Sequence, residues 1–194
     1  MSLPTLILGS TSRYRAELLR RIYADFEQRA PGTDETPLPG ETPRDRALRL
    51  AIAKARAAAD GLEDALVIGS DQVAELGGTV LDKPGTRQRA HDQLATSSGR
   101  EVHFYTALCL HDTRTGADSV HVDHTIVMFR SLSRDEIDRY IEREQPLDCA
   151  GSFKCEGLGI SLFERIDNED PSALIGLPLI ALARLLREAG IALP

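Results

Sequence analysis

The sequence predicts an α/β fold in which a mixed β-sheet is flanked by helices. Three observations lead there: two short apolar runs, Leu6-Ile7-Leu8 and Ala65-Leu66-Val67-Ile68; apolar residues at helical spacing in the segments between strands; and two long strand candidates side by side in the chain. Leu6 to Leu8 reads as a strand, followed by the polar turn Gly9-Ser10-Thr11-Ser12 and a helix from Arg13 to Tyr23 carrying Leu18, Leu19 and Ile22. A second helix is signalled from Thr42, which can cap. Pro43 fits the first helical position, Asp45 completes a capping-box pattern, and the alanine-rich stretch to Ala59 carries Lys54.

Ala65 to Ile68 reads as a strand that ends at Gly69-Ser70-Asp71-Gln72, so Asp71 is expected where the strand emerges. Ala74 to Leu81 then forms a hairpin turning on Gly77-Gly78. Val102 to His111 and Val120 to Phe129, separated by the turn-rich 113–118, predict a large antiparallel hairpin. Ser133 with Glu136 marks a capping box for a helix through Arg143, a glycine-rich stretch covers Ala150 to Leu162, and Leu177 to Ala189 is an amphipathic helix stopped by Gly190. No repeat or linker interrupts this order, and 194 residues suffice for a real core.

Composition narrows the function classes. A formal net charge of -7 argues against non-specific nucleic-acid binding, whose affinity comes from Lys and Arg neutralising phosphates. The opening Met1 to Leu8 has neither a basic region nor an apolar segment long enough for export or membrane spanning, which predicts a cytoplasmic protein with no membrane partner. Cys109, Cys149 and Cys155 are odd in number and form no Cys-x-x-Cys pair, so they are expected to be reduced and mostly buried. His121 and His124 would point to opposite faces of a strand, which argues against a transition-metal site there.

Candidate chemistry lies at the turns. The hydroxyls of Ser10, Thr11 and Ser12 with the helix-start N–H groups could cradle phosphate, with Arg13 and Arg15 adding charge. Asp71 could hold Mg²⁺ or a water, Glu35 could be a second acid, and Lys54 and Lys83 could be phosphate ligands. Taken singly none is distinctive: serine-rich caps, loop carboxylates and surface lysines are common.

Taken in order, however, Leu6 to Ser12, Asp34-Glu35-Thr36, Lys54, Ile68 to Val73 and Lys83-Pro84 resemble the Maf family of nucleotide pyrophosphatases. Cys149 to Lys154 and Asp170 to Leu179 look like its branch that hydrolyses 7-methyl-GTP, and the match runs over nearly the whole chain. The resemblance implies a single domain over 1–194, two-lobed with a central cleft and related to the inosine triphosphate pyrophosphatases. It also implies a divalent cation, most simply Mg²⁺, and hydrolysis of a nucleoside triphosphate to the monophosphate and pyrophosphate. The family's base falls on Asp71, which with Glu35 would hold the metal. Its phosphate ligands fall on Ser10, Arg15, Lys54 and Lys83, and its base-selecting positions on Tyr14, Gln72 and Glu156. A homodimer is a further expectation.

Arg13 stands where the family pattern usually has proline, and Tyr14 where the methyl-GTP branch often has tryptophan. Two alternatives stay open: a pyrophosphatase for dTTP, UTP or another non-methylated nucleotide, and a nucleotide-binding regulator of cell division without important catalysis.

Overall fold

Leu6, Ile7 and Leu8 are each 1% exposed or less, because the strand they form is covered by helices on both faces. The structure, a computed structural model, describes residues 4–194; Met1 to Leu3, where the stretch read for targeting begins, lie outside the described residues. In chain order the elements are β1 (Thr5–Gly9), α1 (Arg13–Arg20), β2 (Glu27–Arg29), α2 (Pro43–Ala58), β3 (Ala65–Leu76), β4 (Thr79–Val80), α3 (Arg87–Ser97), β5 (Glu101–Asp112), β6 (Ala117–Phe129), α4 (Arg134–Glu144), β7 (Phe163–Asp167) and α5 (Leu179–Glu188).

The seven strands form one mixed sheet in the order β2-β1-β3-β5-β6-β7, with β4 paired to β3. β1 runs parallel to β2 and β3, while the β3/β4 and β6/β7 pairs are antiparallel. Only four residues join β5 to its neighbour β6, too few for the crossover that a parallel pair needs. The expected α/β class, the hairpin on Gly77-Gly78 and the large hairpin are all present. Gly77 and Gly78 have φ of 57° and 88°, the mirror-image turn that suits a two-residue hairpin.

The chain divides into two compact units, one of residues 1–71, 106–123 and 170–194, the other of 72–105 and 124–169. In the first, alternation along β1 and β3 sends Leu6, Leu8, Leu66 and Ile68 towards α1 and α5, while Ile7, Ala65 and Val67 meet Ala58 and Ala59 at the end of α2. Such two-sided burial is why these strands read as unbroken apolar runs. The second unit is organised around Phe104, Phe129, Phe153 and Phe163, which meet edge to face at centroid distances of 4.8–5.7 Å.

Several boundaries differ from the sequence reading. β3 does not end at Ile68: it continues through Gly69, Ser70 and Asp71 to Leu76, so Asp71 lies inside a strand and not beyond its end. α1 stops at Arg20 and α5 starts at Leu179, after Pro178. α3, β2 and β7 carried no recognised signal. Only Cys109 is buried; Cys149 and Cys155 are half-buried, and all three are free thiols.

Helix α2 approaches the sheet at two glycines. A Cβ on Gly69 would run into the Ala51 carbonyl oxygen and come within 2.5 Å of the Ala55 nitrogen. One on Gly9 would come within 2.9 Å of Ala58 Cβ and 3.0 Å of the Lys54 carbonyl oxygen. Gly69→Ala is therefore expected to lower stability by about 3 kcal/mol or more, because backbone atoms cannot move aside as a side chain can. Gly78→Ala, where nothing lies within 4 Å, should cost only about 1–2 kcal/mol for its positive φ. Urea denaturation checks the ranking, and equal costs would show that the helix can shift.

Candidate active site

By the alternation of β3, residues 65, 67, 69 and 71 face α2, which brings Asp71 under Lys54. Lys54 Nζ donates to Asp71 Oδ1 at 2.6 Å and sits 2.7 Å from Glu35 Oε1. Lys54 and Asp71 are each 7% exposed, whereas the Glu35 side chain is 55% exposed. An ammonium with a carboxylate on two sides is held in place, and no protein donor among the described residues reaches Asp71 Oδ2. The position is that of a carboxylate fixed through one oxygen and free to act through the other.

Glu35 is delivered by the loop before α2. Asp34 Oδ1 accepts from Thr36 N–H at 2.9 Å and from the Thr36 hydroxyl at 2.6 Å, closing an Asx turn around Glu35. The Thr36 hydroxyl and N–H bonds hold the Asp34 carboxyl below its usual range. Two arginines of α2 then grip the loop: Arg46 donates to the Glu35 carbonyl at 3.5 Å and Arg49 to the Thr36 carbonyl at 3.2 Å. Arg49 also makes a bidentate pair with Glu41 at 2.5 and 2.8 Å.

Ser10 and Arg15 approach from the other side of β1. Ser10 is buried, and its hydroxyl accepts from Ser12 N–H at 3.1 Å and from Arg15 Nη1 at 3.5 Å. Ser12 caps α1, with its hydroxyl accepting from Arg15 N–H. Arg15 Nε donates to the Gly176 carbonyl at 2.8 Å, an oxygen that also accepts from the buried Ser70 hydroxyl at 3.0 Å. Burial pulls the Arg15 guanidinium below its ordinary value, and the negative fields of Asp71 and Glu35 oppose the shift; it stays a cation. Ser70 and Gly176 went unrecognised in the sequence as the groups that seat Arg15.

The first unit thus gathers Ser10, Arg15, Glu35, Lys54 and Asp71. Tyr14, also in this unit, is half-buried; its hydroxyl accepts from Arg13 Nη2 at 2.8 Å, and the Arg13 guanidinium carbon lies 4.7 Å from its ring centroid. Its ring therefore already carries a cation. Gln72, half-buried, is the next residue of β3 and belongs to the second unit, as do Lys83 and Glu156, both exposed. Glu156 accepts from Cys155 Sγ at 3.6 Å; burial and that carboxylate push the Cys155 thiol up to about 12.

A family model for Maf-like proteins matches residues 5–189. The chain belongs to the Maf family. Relatives named 7-methyl-GTP pyrophosphatase in Burkholderia thailandensis, Xanthomonas campestris pv. campestris and Polaromonas sp. are 57%, 55% and 54% identical to this Maf-family chain. The matches cover 97%, 99% and 97% of this chain and 89%, 100% and 86% of those proteins. No helix among the described residues is long and apolar enough to cross a membrane.

Glu35 and Asp71 offer hard oxygen donors that share one ammonium, so both can reach one small cation. Among the described residues no third acidic, histidine or cysteine ligand joins them. This donor set suits Mg²⁺, which takes one or two carboxylates and completes its shell with water and phosphate oxygens.

Two outcomes are expected. Lys54→Met leaves two carboxylates facing each other, one of them buried, and should lower stability by about 3 kcal/mol, the scale of a broken buried pair; an unchanged urea midpoint would contradict this. The Arg49 hydrogen bonds hold the Glu41 carboxyl down at about 2, against an ordinary value of 4.5. Its stabilising effect is therefore complete above about pH 4.5 and is lost as the pH falls towards 2. A carboxyl NMR titration checks it, and a Glu41 midpoint near 4.5 would refute the bidentate grip.

Proposed function

We propose that this chain hydrolyses 7-methyl-GTP to 7-methyl-GMP and pyrophosphate, with Asp71 as the general base. The observation that carries the reading is the fixed Glu35, Lys54 and Asp71 constellation beside Arg15. The names of the relatives support the substrate.

Hydrolysis at the α phosphorus needs a positioned water, a proton acceptor and charge neutralisation on the phosphoryl oxygens and the departing pyrophosphate. Asp71 Oδ2 receives the water proton as the new oxygen–phosphorus bond forms and the bridging oxygen leaves with pyrophosphate. A carboxylate is a weaker base with an ammonium on it, so Lys54 gains a second task. A triphosphate draws Nζ away from Asp71, coupling substrate arrival to activation of the base. Arg15 and Lys83 add positive charge to the phosphates, and Ser10 adds a hydroxyl. Magnesium held by Glu35 and Asp71 would supply further neutralisation of the phosphoryl oxygens.

N7-methylation makes guanine cationic while leaving its N1–H and exocyclic amine as donors. The Tyr14 ring can stack on that charged base once the Arg13 guanidinium, 4.7 Å from the ring centroid, gives way, and the exposed Glu156 carboxylate can accept both edge hydrogen bonds. Gln72 is the third base-selecting position. Assembly as a homodimer and residence in the cytoplasm belong to the same proposal and rest on the resemblance and on composition.

Pyrophosphate release measured across 7-methyl-GTP, GTP, dTTP and UTP with Mg²⁺ should give the highest kcat/KM for 7-methyl-GTP. Equal or higher efficiency with dTTP or UTP would overturn the substrate while leaving the chemistry. Asp71→Asn should lower kcat by roughly 10²-fold or more with little change in KM, the usual size of a general-base contribution; undiminished turnover would put the base elsewhere.

A further inference from the structure

Glu156 sits in a tight turn whose own backbone closes it: the Lys154 carbonyl accepts from Gly157 N–H at 3.2 Å and from Gly159 N–H at 3.0 Å. The turn is short and its residues Glu156 and Leu158 are exposed, so contacts from outside it help to fix its direction. That role falls to the end of α4. Glu144 Oε2 accepts from Leu158 N–H at 2.8 Å. A Cβ at Gly157 would lie 2.8 and 2.9 Å from the two Glu144 carboxylate oxygens, so a larger residue there would displace the carboxylate from the turn.

The other end of the turn is tied to the same helix. Lys154 N–H donates to the Tyr140 hydroxyl at 3.0 Å, and Lys154 Nζ donates to the Glu144 carbonyl at 2.9 Å and the Gln145 carbonyl at 3.5 Å. An acid in the last turn of a helix faces the negative end of its dipole, an arrangement that is ordinarily unfavourable. Here the Leu158 N–H and the Lys154 ammonium offset it, and each offsetting contact fastens the turn that carries Glu156.

We propose that Glu144 is a specificity-determining positioning residue, which touches no substrate but holds the 154–159 turn so that Glu156 meets the base edge. This rests on the base-selecting role proposed for Glu156. The structural alternative is that Glu144 only steadies this unit, in which case its loss would not discriminate between nucleotides.

The test measures kcat and KM for 7-methyl-GTP and GTP in the wild type, Glu144→Ala, Glu144→Gln, Glu156→Gln and the double variant Glu144→Ala/Glu156→Gln, with amide hydrogen exchange across residues 154–159. Glu144→Ala should raise the KM for 7-methyl-GTP roughly tenfold, as for loss of one charge-assisted hydrogen bond. It should leave kcat near the wild-type value, narrow the preference over GTP and speed exchange at Leu158. Glu144→Gln, whose amide oxygen can still accept from Leu158, should restore most of the preference. In the double variant the loss of preference should not exceed that of Glu156→Gln alone, as expected of residues acting through one contact. The proposal is overturned if Glu144→Ala leaves the preference or the exchange unchanged, or lowers kcat for both nucleotides alike, while Glu156→Gln abolishes the preference. If Glu156→Gln itself has no effect on the preference, the base-edge reading fails, and the role of Glu144 falls with it even where the turn loosens.

Discussion

The close approach of helix α2 to strands β1 and β3 is the constraint on which the candidate site depends. Gly9 and Gly69 remove the side chains that would hold the helix off, and backbone then packs on backbone at Ala51, Lys54 and Ala55. At that separation Lys54 has only a short distance to span and reaches Asp71 at 2.6 Å from inside the protein. An alanine at either glycine would push apart the two elements that carry the acid and the cation. The same helix grips the Glu35 loop through Arg46 and Arg49, so one rigid element sets three of the charged groups.

Charge balance explains why this cluster can be buried at all. Asp71 and Lys54 would each be costly alone in a site 7% exposed. As a pair shared with the more exposed Glu35, they leave one carboxylate oxygen open and one ammonium with two competing partners. That arrangement suits a site that must admit a highly charged ligand, because the protein's own contacts can be exchanged for the ligand's without stranding a charge.

Much of this was legible from residue order, and the exceptions have physical causes. The apolar runs at Leu6 and Ala65 are strands buried on both faces, which is what such runs signify. The reading of β3 stopped at Ile68 because Ser70 and Asp71 interrupt the apolar run. They remain in the strand because each has a partner outside it, the Gly176 carbonyl for Ser70 and the Lys54 ammonium for Asp71. α3 escaped recognition because its buried face is made of Ala90, Leu94 and Ser97, too small and too sparse to stand out. β2 is three polar residues at the edge of the sheet. Glu35 and Lys54 could be singled out only through their place in a family pattern, and Glu144 carried no signal because its partners are backbone atoms.

Arg15 and Ser70 both bind the carbonyl of Gly176, 161 and 106 residues further along the chain. During synthesis the residues of β1, α1, α2 and β3 would emerge well before that carbonyl and before α5, which covers the face made by Leu6, Leu8, Leu66 and Ile68. The arginine stays unseated until residue 176 has been made, so a polypeptide stopped before it would lack the carbonyl that holds Arg15 and Ser70 together.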